Sequence, residues 1–245
     1  MTEEMNLGGS CIREQDGVAA GTRNATDKAI ISKIDHTLLA PTATPSQIIA
    51  LCQEALSFGF ASVCVPPRYV ELCAKQLGGN IPVCTVIGFP LGYNATSVKL
   101  AEAARALTDG AEELDMVIHV GALLMGDVDS VREEIALMKK LAGSRIVKVI
   151  VETCLLDDEA KMAACRAVTD AGADFIKTST GFSTGGATAA DVALLRKYVG
   201  SGVRVKASGG IRTAEQAAVM VRAGADRLGM SSAVSAFGLA SVRRD

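Results

Sequence analysis

The chain has 245 residues, of which 49% are hydrophobic, and a formal net charge of −2 at pH 7. That length fits two small domains or one α/β barrel. The weakly acidic balance, the 4% aromatic content and the lack of a long apolar run argue against nucleic acid and membrane as partners.

The seven cysteines are scattered without a C-x-x-C pair, and the chain has two histidines, His36 and His119. A disulfide framework or a zinc site would need these residues to cluster. We therefore interpret most cysteines as core thiols in a reducing compartment, and both histidines as hydrogen-bonded packing residues. Because the N-terminus lacks the apolar core of a signal peptide, we expect a cytoplasmic protein. Because no histidines or cysteines cluster at the spacing of a metal site, we expect no metal, and we expect no other cofactor.

One pattern recurs along the chain: a short β-branched run, a small or polar break, and an amphipathic helical stretch. Residues 1–24 precede it and predict a flexible N-terminal extension, followed by one domain over residues 25–245. The predicted strands are 34–36, 61–65, 83–87, 113–117, 145–151, 175–177, 203–207 and 227–229. The predicted helices are 25–32, one from 44, 67–77, 96–109, 129–141, 157–171, 188–198, 213–223 and a short one from 231.

This alternation is typical of βα units around a parallel sheet. Four of the helix-to-strand turns carry a glycine at the matching place, namely Gly59, Gly110, Gly172 and Gly224. Eight units predict an α/β fold of the TIM (β/α)8 barrel type. The alternative, an open doubly wound sheet, rarely contains eight short and evenly spaced units.

Two lysines end short apolar strands just before small residues and glycines. Lys177 precedes the residues TSTG, and Lys206 precedes ASGG. A lysine that leaves a buried strand is costly because desolvation disfavours its ammonium form, although such a side chain can also extend to solvent from the strand end. We interpret Lys177 as a nucleophile that forms a Schiff base and Lys206 as the cation that keeps it deprotonated.

The active site of such a barrel forms at the carboxyl ends of the strands. Asp115 lies there on the otherwise apolar strand ELDMV, and an Asp–Lys pair can shuttle the protons that Schiff-base chemistry requires. The alternative for Asp115 is a buried ion pair with Lys148 or Lys206. Further strand-end candidates for substrate binding are Asp35, Thr37, Cys64 and Thr178.

Two glycine-bearing loops follow the last two strands, 208–212 (SGGIR) and 229–232 (GMSS). Small residues let backbone N–H groups approach an anion, and this is the usual phosphate site of these barrels. The candidate phosphate ligands are Gly209, Gly210, Gly229, Ser231 and Ser232, with Gly181 on a third side. The alternative is that the glycines form tight turns and bind nothing.

Five motifs are found together in this chain: KIDHTLL (33–39), ELDMV (113–117), FIKTSTGF (175–182), VKASGGIRT (205–213) and GMSS (229–232). As a set they resemble the deoxyribose-phosphate aldolase family. The resemblance implies a metal-free class I aldolase barrel that cleaves 2-deoxy-D-ribose 5-phosphate to acetaldehyde and D-glyceraldehyde 3-phosphate in deoxyribonucleoside catabolism. It implies Lys177 as the Schiff-base lysine, Asp115 and Lys206 as proton donors and acceptors, and a homodimer.

Two positions depart from the pattern of that family. Phe182 stands where some members carry a lysine near the phosphate, and the chain ends VRRD where some members end in a tyrosine that reaches the active site. Both departures bear on phosphate affinity and on the protonation of carbon. Two other functions fit the same lysines and loops: another Schiff-base barrel aldolase (transaldolase-like or a keto-deoxy-sugar-phosphate lyase), and a non-catalytic sugar-phosphate binder.

Overall fold

In the computed structural model, which describes residues 25–240, eight parallel strands pair in sequence order and close into a barrel. The strands are β1 (Ile34–Thr37), β2 (Ser62–Val65), β3 (Val83–Ile87), β4 (Glu113–Val117), β5 (Ile146–Ile150), β6 (Phe175–Lys177), β7 (Arg204–Ser208) and β8 (Arg227–Met230). The barrel closes where β1 pairs with β8. The predicted TIM barrel is confirmed, and each predicted strand end agrees with the structure to within one residue.

Helices surround the barrel and follow the strands. They are α1 (Ala25–Ile31), α2 (Pro45–Phe58), α3 (Val70–Leu77), α4 (Thr96–Thr108), α5 (Val120–Leu124), α6 (Val128–Ala142), α7 (Asp158–Asp170), α8 (Ala189–Tyr198), α9 (Ala214–Arg222) and α10 (Ala233–Ala236). The prediction missed α5, and it joined the 3₁₀ turn Pro67–Tyr69 to α3. The N-terminus of α5 is capped by the His119 side chain, which accepts a hydrogen bond from the N–H of Ala122, so the expected packing role of His119 is confirmed.

Strand residues alternate between two very different environments, as the period of two requires. The outward residues of β4 and β5, such as Leu114 and Val149, join the main apolar core between barrel and helices. The inward residues are mostly polar or charged: Asp35, Cys64, Cys84, Glu113, Asp115, Lys148, Lys177, Lys206 and Arg227. Barrel interiors of this type are more commonly filled by branched aliphatic side chains, so the charged interior marks a functional region.

Turn chemistry agrees with the sequence prediction. The four turn glycines all have positive φ, and the N–H of Gly59 closes α2 on the carbonyl of Ala55. Thr44 caps α2 in a capping box with Pro45 in the first turn, which agrees with the predicted start of this helix at 44. The predicted extension at 1–24 lies outside the described residues. Over residues 25–240, no helix has the length and apolarity needed to cross a bilayer.

Candidate active site

Seven ionisable side chains from six strands meet inside the barrel. We name this set the lysine cluster; its members are Asp35, Glu113, Asp115, Lys148, Lys177, Lys206 and Arg227. None of these side chains is more than 13% exposed. Every charge in the cluster therefore depends on its neighbours for compensation.

Asp115 is the centre of the upper layer. Its Oδ1 accepts a hydrogen bond of 2.8 Å from Lys148, and its Oδ2 accepts bonds of 2.8 Å from Lys177 and 2.6 Å from Lys206. Strand register explains the meeting, since Lys177 and Lys206 are paired across β6 and β7 and Asp115 and Lys148 across β4 and β5. The amines of Lys177 and Lys206 thus bind the same oxygen atom. The ion pairs of Asp115 with Lys148 and Lys206, considered above as its alternative role, are both present.

A lower layer supports these groups from beneath. Asp35 Oδ2 lies 2.5 Å from the amine of Lys206, and Glu113 Oε2 lies 2.5 Å from the amine of Lys148. Arg227 contacts both carboxylates, binding Asp35 through Nε and Nη2 and lying 3.1 Å from Glu113 Oε2. No member of the cluster lacks an oppositely charged partner.

The electrostatic result is a set of fixed charges. Burial opposes the charge on Asp115, but the neighbouring lysines Lys148, Lys177 and Lys206 outweigh it and hold the pKa of Asp115 well below its ordinary value. Burial likewise opposes the charge on Lys206, yet Asp115 and Asp35 raise its pKa above the ordinary lysine value. For Lys148, burial is outweighed by Asp115 and other acidic neighbours, which raise the pKa. Asp115 therefore stays a carboxylate, and Lys148 and Lys206 stay ammonium groups, at neutral pH.

Two thiols lie against the cluster. Cys84 Sγ donates to Asp115 Oδ1 at 3.1 Å, and Cys64 is fully buried in the same apolar group. The donor atoms of Cys64, Cys84 and Asp115 lie within 4.8 Å of one another, as do those of Asp35, Cys84 and Glu113. In both groups the carboxylates already bind lysine ammonium groups, which would repel a divalent ion. These donor atoms therefore fit ion pairs with lysine better than a metal ion.

A cavity of about 390 Å³ opens above the cluster at the carboxyl ends of the strands. We name it the mouth cavity; it is lined by Thr37, Leu38, Leu39, Ala40, Pro41, Lys177, Thr180, Gly181, Phe182, Ser208, Gly209, Gly210, Ile211, Arg212, Gly229 and Ser231. Lys177, with 3% of its surface exposed, forms the buried end, whereas Arg212 is exposed. The cavity therefore joins a concealed amine to a cationic rim.

Most of the predicted substrate-binding residues line this cavity: Thr37, Gly181, Gly209, Gly210, Gly229 and Ser231. The structure places Asp35, Cys64, Thr178 and Ser232 elsewhere. Asp35 belongs to the lysine cluster and Cys64 to the barrel interior. Thr178 Oγ1 bonds the backbone of Ser208 on the neighbouring strand, and Ser232 Oγ donates to the carbonyl of Ile211.

Close backbone contacts explain the glycines at the rim. A Cβ on Gly186 would lie 2.3 Å from the carbonyl oxygen of Gly209. Gly209 itself has φ of 85°, in the left-handed region, and its own Cβ would lie 3.3 Å from Gly181 Cα. The loops after β6 and β7 therefore pack backbone on backbone, and the N–H of Ala187 donates to the carbonyl oxygens of Ser208 and Gly209.

Two features of the site were missed by sequence reasoning, Arg212 and the segment Leu38–Pro41, whereas Glu152 was expected among the strand-end residues. Arg212 lines the mouth cavity, and its place two residues after the predicted glycine pair Gly209–Gly210 was the available signal. The segment Leu38–Pro41 supplies an apolar wall. Glu152, at φ of 55°, accepts hydrogen bonds from Thr180 N–H at 3.2 Å and from Thr180 Oγ1 at 2.5 Å, which fixes the loop after β6.

The chain is similar to known proteins over most of its length. A family model described as DeoC/LacD family aldolase matches residues 29–245. The chain is 55% identical over 203 residues to the deoxyribose-phosphate aldolase of Brevibacillus brevis, covering 82% of this chain and 92% of that one. A solved structure from Coccidioides immitis superposes with a TM-score of 0.84 at 44% identity, covering 86% and 85% of the two chains. A structure described as a tetrameric deoxyribose phosphate aldolase from Aeropyrum pernix gives a TM-score of 0.78 at 39% identity, covering 86% and 91%.

Proposed function

The chain belongs to the DeoC/LacD family of aldolases, which confirms the resemblance of its motifs, and from this premise we propose that it is a deoxyribose-phosphate aldolase. The reaction is the reversible cleavage of 2-deoxy-D-ribose 5-phosphate to acetaldehyde and D-glyceraldehyde 3-phosphate. The observation that carries the proposal is the pair of amines, Lys177 and Lys206, bound to one oxygen of Asp115 at the buried end of the mouth cavity.

Lys177 is the nucleophile. It is the lysine of the cluster that lines the cavity, and Lys148 and Lys206 are fully buried beneath it. Its free amine adds to the aldehyde carbon C1 of the open-chain sugar, and loss of water leaves a protonated imine. The C2–C3 bond then breaks as the C3 hydroxyl loses its proton, and the electron pair moves to the imine. The products are D-glyceraldehyde 3-phosphate and an enamine, which is protonated at carbon and hydrolysed to acetaldehyde.

Asp115 and Lys206 move the protons of these steps. Asp115 Oδ2 lies 2.8 Å from the amine of Lys177, which is the reacting nitrogen. The amine of Lys206 lies 2.6 Å from the same oxygen. When the Lys177 amine becomes an imine it loses hydrogens that bind Asp115, which frees a lone pair of Oδ2 beside the reacting atoms. Lys206 remains bound to the same oxygen and can return a proton through it.

The phosphate binds at the rim. Two residues that line the cavity have basic side chains, Lys177 and Arg212. Arg212 lines it together with Gly209 and Gly210. Guanidinium and backbone N–H groups are the usual phosphate ligands in proteins, and they place the anion away from the buried amine. Phe182, whose ring meets that of Phe89 edge-on at 5.2 Å, borders the same rim without adding charge.

A cleavage assay with 2-deoxyribose 5-phosphate, run with a chelator, tests the proposal together with reductive trapping. Borohydride with acetaldehyde should add two carbons at Lys177. Lys177→Met should lower kcat by at least about 10⁴-fold, and the exposed Lys140→Met is the matched control that should not. An adduct on another lysine, or a preference for a keto acid or ketose, would favour the other Schiff-base aldolases. Cleavage by Lys177→Met at the wild-type rate would exclude Lys177 as the nucleophile.

We also propose a homodimer and a cytoplasmic location. All six cysteines in the described part of the chain are free thiols, which supports a reducing compartment. The relative from Aeropyrum pernix is described as a tetramer, so a tetramer is the alternative assembly to be tested against the dimer. Light scattering of the purified protein during size-exclusion chromatography distinguishes a dimer from a tetramer or a monomer.

A further inference from the structure

The lysine cluster contains unequal numbers of basic and acidic groups. Its basic members are Lys148, Lys177, Lys206 and Arg227, and its acidic members are Asp35, Glu113 and Asp115. A net charge buried away from water is expensive, so a cluster of this kind is most stable when its charges cancel. With every group ionised, one positive charge remains uncompensated.

Neighbours determine which group gives up that charge. Arg227 is a guanidinium and keeps its proton in proteins. Lys148 contacts Asp115, Glu113 and, at 3.6 Å, Asp35, and Lys206 contacts Asp115 and Asp35, so each has at least two carboxylate partners. Lys177 contacts Asp115 alone. Lys177 is therefore the basic group whose loss of a proton costs the fewest ion pairs.

We propose that Arg227 and Glu113, which lie beneath the mouth cavity and do not line it, are positioning residues whose opposite charges set the protonation of Lys177: Arg227 favours the free amine and Glu113 opposes it. The inference rests on the proposed function, because it explains how the nucleophile is kept unprotonated. Arg227 supplies the third permanent cation, which lets three carboxylates be neutralised without Lys177. Glu113 supplies the third carboxylate of the count, and Lys148, its partner, also contacts Asp115 and Asp35 and keeps its charge without it. Neither residue touches substrate.

The remaining groups around Lys177 do not alter this count. On β2 and β3 the thiols Cys64 and Cys84 are fully buried: burial raises the pKa of Cys84, whereas the hydrogen bond with Cys84 lowers the pKa of Cys64, and the Asp115 carboxylate opposes a negative charge on either. After β5, Glu152 is bound by Thr180 and has no ion pair among residues 25–240. Arg212 stands at the exposed rim of the cavity, where solvent screens it.

The test measures the rate at which acetaldehyde and cyanoborohydride trap Lys177, as a function of pH, in the full-length protein. Arg227→Met leaves three lysines against three carboxylates, so Lys177 regains its proton and the acid limb of the profile moves up by about one pH unit. Glu113→Gln leaves three permanent cations against two carboxylates, and the limb moves down. Combining the two substitutions restores equal numbers and should return the limb to its wild-type position.

Arg227→Lys separates charge from geometry. It keeps the positive charge and loses the two-point contact with Asp35, so the limb should stay in place even where the overall rate falls. A purely structural role predicts a different result. The trapping rate would be lowest in the double variant, and the acid limb would stay in place in every variant.

Two results overturn the proposal: single variants whose limbs stay fixed or move in the same direction, or a double variant whose limb fails to return. If Arg227→Met does not fold, the downward shift of Glu113→Gln and the fixed limb of Arg227→Lys carry the test. Failure of the proposed function is distinct, because the wild-type protein would then cleave no deoxyribose 5-phosphate or would not be trapped at Lys177.

Discussion

Asp115→Asn removes one charge and keeps the shape of the side chain, which makes it the most informative change in the site. The carboxylate accepts three lysine hydrogen bonds of 2.6 to 2.8 Å in a fully buried position. An amide oxygen can accept some of these bonds, but the amide carries no charge and cannot accept a proton.

The effect on stability follows from the partners left behind. Removing one partner of a buried ion pair costs about 3–5 kcal/mol. Lys206 keeps Asp35 and Lys148 keeps Glu113, so we expect the lower end, about 3 kcal/mol. For a protein of this size that corresponds to a fall in Tm of about 6–12 °C. The loss in kcat should be larger in proportion, about 10²- to 10⁴-fold, because a general acid–base group is lost as well.

Calorimetry and steady-state cleavage of 2-deoxyribose 5-phosphate measure the two effects. The control is Asp129→Asn, whose side chain is 83% exposed in a surface pair and which should alter neither value appreciably. A kcat within threefold of wild type, whatever the Tm, would show that Asp115 carries no proton in the reaction. A lower kcat with an unchanged Tm would show that the three hydrogen bonds do not hold the cluster together.

Three further outcomes follow from the same geometry. Arg212→Met should raise KM for the phosphorylated sugar by about 10- to 100-fold and leave turnover of unphosphorylated deoxyribose unchanged; an equal loss with both substrates would exclude a phosphate contact. Gly229→Ala places a Cβ 2.7 Å from Ser208 Cβ, so kcat/KM and Tm should both fall, whereas Gly202→Ala, with open space around it, should change neither. Because the pKa of Asp115 is lowered on folding, its charge stabilises the protein above pH of about 3.9, the unfolded pKa, and that contribution is lost as pH falls further. Urea midpoints between pH 5 and pH 3 should therefore decline more steeply for wild type than for Asp115→Asn, and equal slopes would contradict the ion-pair argument.

The meeting of Lys177 and Lys206 could be predicted from the sequence because it needs few assumptions. In a barrel of consecutive βα units, successive strands are neighbours and their carboxyl ends share one face. Two lysines that end successive strands must then lie close together. Asp115 could be added for the same reason, since a carboxylate on an apolar strand needs a buried cation nearby.

The depth of a side chain along its strand was harder to predict. Asp35 was expected to bind substrate together with Thr37, but Thr37 lines the mouth cavity and Asp35 pairs with Lys206 below it. Two residues of strand correspond to about 6.6 Å, which is enough to separate the cavity from the layer beneath. Strand assignment with an error of one residue cannot resolve that difference.

Glu113 and Arg227 could not be recognised at all, and the reason lies in barrel closure. Each opens its strand, where a charged residue ordinarily faces solvent. Asp35 and Arg227 are 192 residues apart in sequence and meet because β1 and β8 form the closing pair. An open sheet of the same strands would leave Arg227 at one edge and Asp35 at the other, each without its partner. The charge balance around Lys177 therefore depends on the closure of the barrel. Because the ion pairs of the closing strands reach Lys206 through Asp35, a change that weakens the β1–β8 contact should lower reactivity at Lys177 before the barrel itself unfolds.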